Sequence, residues 1–294
     1  MSTNNVVAIV VTYNRKELLK ECISKLKQQT VPLDILVVDN ASTDGTEEIF
    51  DDSDEFIKYF NTGSNLGGAG GFSFGIKKAV ELGYVYLWIL DDDTMPTSTA
   101  LEVFMREDEK LNGKYGFLTS KVLWKDDTIC TMNIQKITKW RHLKKFDFTQ
   151  SVQYASFVSL FLKASTVRKI GLPYKEFFIW ADDWEYTRRI SKEKKCYFVP
   201  QSIVHHWCNT NVGANIITAE PDRMDRFKYM YRNDVVMYRQ DGLEGKFYLF
   251  IRNLVHRLRI IIDGKNANEK IALIESATKK GKSFNPQVEF PEGE

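Results

Sequence analysis

Three consecutive aspartates, Asp91, Asp92 and Asp93, form the strongest candidate site in this chain of 294 residues. Side chains alternate along an extended segment, so Asp91 and Asp93 should point the same way. Two carboxylates on one side suit Mg²⁺ or Mn²⁺, cations that prefer oxygen ligands and often bridge to substrate phosphates. The alternative is a solvated acidic turn that caps a helix beginning near Thr97. The apolar run Tyr84–Leu90 favours the metal interpretation, because a buried strand would deliver the carboxylates to the carboxyl edge of a sheet.

Polar side chains also follow two earlier predicted strands. Thr12 and Arg15 come after the β-branched run Val6–Val11, and Asp39 follows Ile35–Val38. Each of these groups could hydrogen-bond a nucleotide, although each could equally belong to an ordinary turn. Polar groups at three strand ends together favour a ligand site at one edge of the sheet.

The glycine-rich segment 65–72, which contains Asn65 and Gly67, heads a predicted helix. Its backbone N–H groups could approach an anion closely. The segment does not match GxxxxGK[ST], which excludes a Walker-type phosphate loop, and a dinucleotide fingerprint directly after a strand is also disfavoured. The alternative is a loop that packs tightly against the sheet.

Two later pairs of residues add candidate groups. Asp182 and Asp183 begin the predicted helix Asp182–Lys194 after an aromatic run, where a carboxylate could serve as a general base or simply stabilise the helix start. His205 and His206 follow a predicted strand and must point to opposite sides, so at most one should face the acidic site. A lone histidine is more often structural, but beside an acidic metal site it becomes a candidate third ligand.

The elements that must position these groups alternate between strand and helix through the first half of the chain. This order predicts an α/β fold with a mostly parallel central sheet and helices on both faces. The polar stretch 126–150 predicts an insertion or loop, and the chain becomes helical, basic and aromatic from Pro221. We therefore expect a catalytic domain over 1–218 and a helical C-terminal region over 219–294.

Composition excludes several classes of protein. The chain is 43% hydrophobic and 27% charged, as in ordinary globular proteins, and its net charge of +2 offers no field that would recruit nucleic acid. No apolar run approaches the roughly 20 residues that span a bilayer, and residues 1–5 lack the basic region of a signal peptide. Four scattered cysteines without a CxxC pair predict a reducing, cytoplasmic setting.

Six motifs stand in the order and spacing of family 2 glycosyltransferases, which the chain resembles from about residue 6 to 207. They are TYNR, VVDNASTDGT, NLGGAGGF, LDDDTMP, DDWEYTRR and HHW. NLGGAGGF with LDDDT most resembles the galactofuranosyltransferase and rhamnosyltransferase branch. The resemblance implies a GT-A fold and inverting transfer of a sugar to a hydroxyl of a cell-surface polysaccharide or lipid-linked glycan. UDP-galactofuranose is the favoured donor and dTDP-rhamnose the second choice.

The resemblance also implies a role for each motif residue. Asp91, Asp93 and His205, in preference to His206, would hold Mn²⁺ or Mg²⁺, and Asp183 would be the catalytic base. The residues expected to bind the nucleotide or the donor sugar are Thr12, Arg15, Asp39, Asn65, Gly67, Asp92, Trp180 and Asp182. Two positions depart from the family pattern: Asp182 stands where Glu is usual, and HHW lacks the glycine that often follows the histidines.

Two other classes of function remain as alternatives. A non-catalytic carbohydrate-binding protein on this fold would be expected to lose Asp91, Asp93 or Asp183, and all three are present. A sugar-nucleotide nucleotidyltransferase is disfavoured, because TYNRKELLK lacks the glycines of a pyrophosphate loop after the first strand.

Residues 246–262 predict an amphipathic helix with an apolar stripe and several arginines. The stripe consists of Phe250, Leu254, Leu258 and Ile261. Most such stripes pack on protein, either on the catalytic domain or on another subunit of a homo-oligomer. The alternative is an interfacial helix on anionic lipid at the inner face of the cell membrane, where a lipid-linked acceptor would lie.

Overall fold

Within residues 4–50, 54–263 and 265–292, which the computed structural model describes, a nine-stranded sheet forms the centre of the protein. The strands are β1 (Val6–Thr12), β2 (Asp34–Asp39), β3 (Ile57–Asn61), β4 (Tyr86–Asp91), β5 (Thr94–Pro96), β6 (Leu118–Leu123), β7 (Lys136–Thr138), β8 (Arg141–His142), β9 (Gln150–Val152), β10 (Leu160–Lys163) and β11 (Cys196–His206). The helices are α1 (Lys16–Lys27), α2 (Gly67–Glu81), α3 (Ala100–Lys110), α4 (Ala164–Ile170), α5 (Asp182–Glu193), α6 (Pro221–Arg239), α7 (Gly242–Asp263) and α8 (Ala267–Ser283).

The sheet has the order β3-β2-β1-β4-β10-β6-β11-β5, with β9 paired to β11, while β7 and β8 form a separate hairpin. Among the described residues, six of the nine strands run in one direction, namely β1, β2, β3, β4, β6 and β11. The predicted α/β class with a mostly parallel central sheet and flanking helices is therefore confirmed.

Strand β1 is buried on both faces because helices cover both sides of the sheet. Ile9 packs in the core that α2 contributes to through Ile76, and Val10 packs in the opposite core with Leu19 of α1. The uninterrupted β-branched run is the sequence pattern that such a doubly covered strand requires. Burial of both faces fixes the register of β1 and thereby the position of every group at its carboxyl end.

Several local predictions differ from the structure. Asn14, with Glu17 three residues later, predicts a cap of the following helix, but it does not cap α1. It has a φ of 54° and its Oδ1 accepts a hydrogen bond from the backbone N–H of Thr43, which ties two loops together. The stretch 126–150 contains a short 3₁₀ turn and the β7–β8 hairpin. The apolar run Val152–Lys163 predicts a single strand, but the structure has β9, a 3₁₀ turn and β10 there. The runs Cys196–Pro200 and Ile203–Trp207 predict two strands, but one strand, β11, covers 196–206.

Helices α6, α7 and α8 pack around a core that includes Tyr231, Ile260 and Ile274. Pro221 occupies the first turn of α6, where its missing N–H costs no hydrogen bond. The division of the chain into 1–218 and 219–294 stays a prediction. Among the described residues, no helix is long and apolar enough to cross a membrane.

Candidate active site

The carboxyl end of β4 places two aspartates side by side, as the alternation of an extended segment predicts. Asp91 ends β4 and Asp93 follows two residues later. One carboxylate oxygen of Asp91, one of Asp93 and a ring nitrogen of His206 all lie within 4.8 Å of one another. Asp92 points elsewhere and accepts a hydrogen bond from Thr12 Oγ1 at 2.8 Å. The acidic triplet is thus divided between an open cluster and a structural contact with β1.

Arg15 is the positive charge that contacts the triplet directly. Its guanidinium Nη1 lies 2.7 Å from Asp93 Oδ2 and 3.2 Å from Asp92 Oδ1. Burial raises the pKa of Asp92 to about 7, although Arg15 acts in the opposite direction. Burial, followed by the charge of Asp93, raises the pKa of Asp91 to about 6. Arg15 alone does not neutralise three adjacent carboxylates, whose oxygen atoms are the ligands that a divalent cation prefers.

The histidine beside these aspartates is His206, which corrects the placement expected for His205. His206 Nε2 lies 3.1 Å from Asp93 Oδ1, whereas His205 Nε2 lies 2.8 Å from Asp127 Oδ1 on the other side of the strand. The pairing of β11 with β5 sets which histidine faces the site, since His206 stands opposite Thr94. That register between distant strands is not visible in two adjacent histidines.

Asn133, in the segment expected to be a loop, fixes the orientation of the His206 ring. The Nδ1–H of His206 donates to Asn133 Oδ1 at 2.8 Å, and Asn133 Nδ2 donates to Ser156 Oγ at 2.9 Å. Nε2 is therefore the ring nitrogen that faces the carboxylates. Burial disfavours a charged imidazole, but the contact with Asp93 outweighs it and raises the pKa of His206 to about 12.

The donor set of this cluster fits Mn²⁺ or Mg²⁺. Two carboxylates supply hard oxygen ligands and His206 supplies an imidazole nitrogen that Asn133 already orients. Cys130 and Cys208 lie on the Nδ1 side of the same ring, where their sulfur atoms and a ring nitrogen also come within 4.8 Å of one another. All four cysteines of the chain are free.

Asp182 and Asp183 form a second acidic pair at the start of α5, in which Asp182 is buried and Asp183 is partly exposed. Burial, followed by the charge of Asp182, raises the pKa of Asp183 well above its ordinary value, and burial raises the pKa of Asp182 to about 7. The charge of Asp91 contributes in the same direction to both, which indicates that the pair lies near the acidic triplet. Asp183 Oδ1 accepts the backbone N–H of Trp184 at 2.7 Å.

The loop before this pair has an unusual backbone. Phe178, Trp180 and Ala181 have φ values of 65°, 65° and 67°, a region that costs a non-glycine residue about 1–2 kcal/mol. On one side, the backbone N–H of Ala69 donates to the carbonyl of Phe178 at 3.1 Å. A Cβ on Gly67 would lie 2.1 Å from that same carbonyl oxygen, so the close approach requires glycine.

On its other side the loop is held by Asn233 of α6, whose role the sequence does not reveal. Asn233 is fully buried, and its Nδ2 donates to the carbonyl oxygens of Phe177 at 3.0 Å, Ile179 at 3.2 Å and Trp180 at 2.9 Å. This side chain satisfies carbonyls that the unusual backbone would otherwise leave without partners. The helical region therefore helps to position Asp182 and Asp183.

The other residues expected to bind the donor have local structural partners. Asp39 is buried at the end of β2, where its carboxylate accepts the N–H of Ser42 at 2.9 Å and the hydroxyl of Tyr59 at 2.7 Å. Asn65 Oδ1 accepts the N–H of Gly67 at 2.8 Å and shapes the turn that begins α2. These contacts hold the carboxyl edge of the sheet in shape, and direct binding of a donor by these residues stays a prediction.

Aromatic rings surround the acidic pair, but they contact different regions. The Trp180 ring packs edge-on against Phe227 of α6 with centroids 5.1 Å apart. Lys136 Nζ lies 3.5 Å from the centroid of the Trp184 ring, and burial, followed by the charge of Arg252, lowers the pKa of Lys136 to about 7. Lys136 also interacts with the charge of Asp183. The sequence did not indicate this interaction, because Lys136 lies in the irregular 126–150 segment.

The architecture is that of a GT-A-like fold, as two solved structures show. The crystal structure of Staphylococcus aureus TarS 1-349 matches with a TM-score of 0.59 and 14% identity, over 98% of this chain and 99% of that chain. The crystal structure of GalNAc-T7 with UDP, GalNAc and Mn²⁺ matches with a TM-score of 0.57 and 13% identity, over 76% of this chain and 47% of that chain.

Comparison of the sequence with family models and with known proteins adds two similarities. Residues 7–148 match the model of glycosyl transferase family 2. The galactofuranosyltransferase GlfT1 of Mycolicibacterium smegmatis is 26% identical over 257 residues, which cover 82% of this chain and 85% of that protein. This protein is a glycosyltransferase, and its residues 7–148 are similar to family 2.

Proposed function

We propose that this protein is an inverting, metal-dependent hexosyltransferase that uses a nucleotide diphosphate sugar, with UDP-galactofuranose favoured. The acceptor is a hydroxyl of a cell-surface polysaccharide or lipid-linked glycan, and the free cysteines agree with a reaction in the reducing cytoplasm. The observation that carries the proposal is the meeting of Asp91, Asp93 and His206 near the pair Asp182–Asp183. The similarity to a galactofuranosyltransferase supports the choice of donor, and dTDP-rhamnose is the second candidate.

The first half of the reaction is loss of the nucleotide diphosphate. Charge that grows on this leaving group would be neutralised by Mn²⁺ or Mg²⁺ held by Asp91, Asp93 and His206. Arg15, already 2.7 Å from Asp93, keeps these carboxylates in place and adds positive charge at the same edge of the sheet. Asp92 keeps its contact with Thr12 and so fixes the turn between β4 and β5.

The second half is activation of the acceptor hydroxyl. Asp183 accepts the proton as the hydroxyl oxygen bonds to the anomeric carbon, and attack opposite the leaving diphosphate inverts that carbon. A raised pKa makes a carboxylate a stronger base, which lowers the cost of taking a proton from a hydroxyl. Asp182 orients a donor hydroxyl or stabilises the start of α5, and the rings of Trp180 and Trp184 shape the acceptor pocket.

Release of UDP on mixing the protein, Mn²⁺, UDP-galactofuranose and candidate acceptors tests this function. We expect acceptor-dependent release that EDTA abolishes and that fails in Asp91→Asn, with Asp127→Asn as a control that alters an exposed carboxylate outside the cluster. Full activity in EDTA would contradict the metal dependence. Turnover with dTDP-rhamnose alone would favour the second donor, and donor binding without turnover on any acceptor would favour a carbohydrate-binding protein.

A further inference from the structure

Helix α7 presents a continuous apolar face to solvent. Its exposed members follow one another at intervals of three or four residues, with exposed fractions from 42% to 85%. This apolar face consists of Leu243, Phe247, Phe250, Leu254, Leu258 and Ile261. Over 22 residues α7 is roughly 33 Å long, so the face extends along most of a molecular edge. An apolar patch of this extent on a folded protein marks an interaction surface.

The rest of α7 is firmly attached to the protein. Leu249 and Ile260 are buried against neighbouring helices, and Arg252 forms an ion pair with Asp234 of α6 at 2.5 Å. His256 Nδ1 lies 2.7 Å from the hydroxyl of Tyr231. The exposed face is therefore the outer side of a docked helix, and the apolar stripe expected to pack on the catalytic domain does not do so.

Basic residues border this apolar face. At roughly 100° per residue, Lys246 and Arg257 lie along one edge of the face, whereas Arg259 lies about 140° from its centre, towards the far side of the helix. Lys246 and Arg259 are exposed, and Arg257 also pairs with Glu275 at 3.4 Å. Glu244, near the start of the helix, pairs with Lys139 at 3.0 Å. Long basic side chains beside an apolar stripe can bury their stems while their charges reach lipid phosphates.

A half-exposed tryptophan stands beside the same helix. Trp140 in the β7–β8 turn packs edge-on against Tyr248 of α7, with centroids 4.6 Å apart. Lys139 next to it is tied to Asp241 at 3.2 Å, so the hairpin and α7 form one unit. Tryptophan rings are enriched at the level of lipid headgroups, where their apolar and polar parts are both accommodated.

We infer that α7 docks in the interface plane of an anionic lipid bilayer, with its apolar face in the acyl boundary and its basic edge on the headgroups. The charge of this edge argues against a second copy of this chain as the occupant. Two such helices placed face to face in antiparallel orientation would bring Lys246 of one near Arg257 of the other, with like charges opposed along the contact. An anionic headgroup layer offers the complementary charge instead.

Docking through α7 also orients the candidate active site. The β7–β8 hairpin contacts both regions: Trp140 packs on Tyr248 of α7, and Lys136 Nζ lies 3.5 Å from the centroid of the Trp184 ring, next to Asp183 in the chain. A hydroxyl acceptor carried by a lipid would then approach from the surface to which the enzyme is bound. This last step rests on the proposed function, whereas binding to lipid does not.

Co-sedimentation with vesicles tests the inference. Phosphatidylcholine vesicles with and without phosphatidylglycerol are compared at low and high salt, with the full chain and with the double variant Leu254→Glu/Leu258→Glu. The matched control is Leu82→Glu/Val85→Glu, which charges two equally exposed apolar side chains near the end of α2. We expect wild type and control to bind phosphatidylglycerol vesicles at low salt, and the α7 variant to bind about tenfold or more weakly, the effect of losing roughly one buried aliphatic side chain.

Several outcomes would overturn the inference. They are absence of binding to phosphatidylglycerol vesicles at low salt, equal binding by the α7 variant, and equal binding to neutral vesicles. Sedimentation without lipid tests the second copy: a dimer that the α7 variant dissociates, with no vesicle binding, assigns the face to another subunit. UDP release with a water-soluble acceptor should be unchanged in the α7 variant, so loss of lipid binding is distinguishable from failure of the proposed function.

Discussion

Replacement of Asn233 by alanine tests whether the C-terminal helices position the catalytic base. The substitution removes an amide whose two N–H groups contact three loop carbonyls, at 2.9, 3.0 and 3.2 Å. Counted as two buried hydrogen bonds, their net loss is about 1–3 kcal/mol, and a carbonyl left buried without a partner adds about 1 kcal/mol, the lower end of that penalty. The loop already contains three non-glycine residues at positive φ, so it should relax once this contact is gone.

We therefore expect Asn233→Ala to lose roughly 2–4 kcal/mol of the energy that holds this loop. If that energy maintains Asp183 in place, kcat falls by about 30- to 1000-fold, since 1.36 kcal/mol corresponds to a factor of ten. Affinity for UDP in the presence of Mn²⁺ should change by less than about threefold, because Asp91, Asp93 and His206 belong to other elements. Single-turnover transfer and calorimetric titration of UDP measure the two quantities.

Asn253→Ala provides the matched control. Asn253 is also buried on a C-terminal helix, but its Nδ2 contacts Thr278 Oγ1 at 3.4 Å and not the loop. Both variants should lower the melting temperature, whereas only Asn233→Ala should lower kcat. A folded Asn233→Ala enzyme with wild-type kcat would refute the argument that α6 positions the base.

Three further changes address the site and the stability of the fold. Asp183→Asn should lower transfer by about 10²- to 10⁴-fold, the usual contribution of a general base, and spare UDP binding, while Asp182→Asn should cost less. His206→Ala should weaken Mn²⁺-dependent UDP binding and transfer, because it removes the imidazole nitrogen that lies 3.1 Å from Asp93, whereas His205→Ala should remain near wild type. Burial, followed by the charges of Arg252 and Arg259, lowers the pKa of His256 to about 4. The unfolded chain takes up this proton below about pH 6.5 and the folded one does not, so stability should fall by about 2 kcal/mol between pH 6.5 and 4.

Different results would contradict each of these three predictions. An active Asp183→Asn beside an inactive Asp182→Asn would move the base to the neighbouring aspartate, and activity in both would exclude a general base from this pair. A larger loss from His205→Ala than from His206→Ala would restore the first histidine as the ligand. A melting temperature whose fall between pH 6.5 and 4 is the same in His256→Gln as in wild type would show that His256 does not cause the acid sensitivity.

The parts of the fold that could be predicted are those specified by neighbouring residues. The runs Val6–Val11 and Tyr84–Leu90 identify buried strands by composition alone, and the alternation of an extended chain places Asp91 and Asp93 on one side. The histidine that joins them depends on the pairing of β11 with β5, two strands about 100 residues apart. No local pattern contains that register.

The groups that sequence reasoning missed act across long separations. Asn133 reaches His206 from a segment whose short strands lack a clear period, and Asn233 contacts a loop more than 50 residues earlier in the chain. At Asn14, in contrast, a local pattern predicts a contact that the structure does not contain. The type of Asn14 and its distance from Glu17 predict a helix cap, but a contact with Thr43 in another loop takes its side chain instead.

The hydrogen bonds from Asn233 to the loop limit which segments of this enzyme can be exchanged for those of another. A chimera that joins residues 1–218 to the C-terminal helices of another transferase would keep every aspartate of the site. It would lose the side-chain amide that hydrogen-bonds the backbone before Asp182, unless the incoming helix had an asparagine at the position equivalent to Asn233. Designers who wish to transplant this catalytic unit should therefore move α6 together with the sheet.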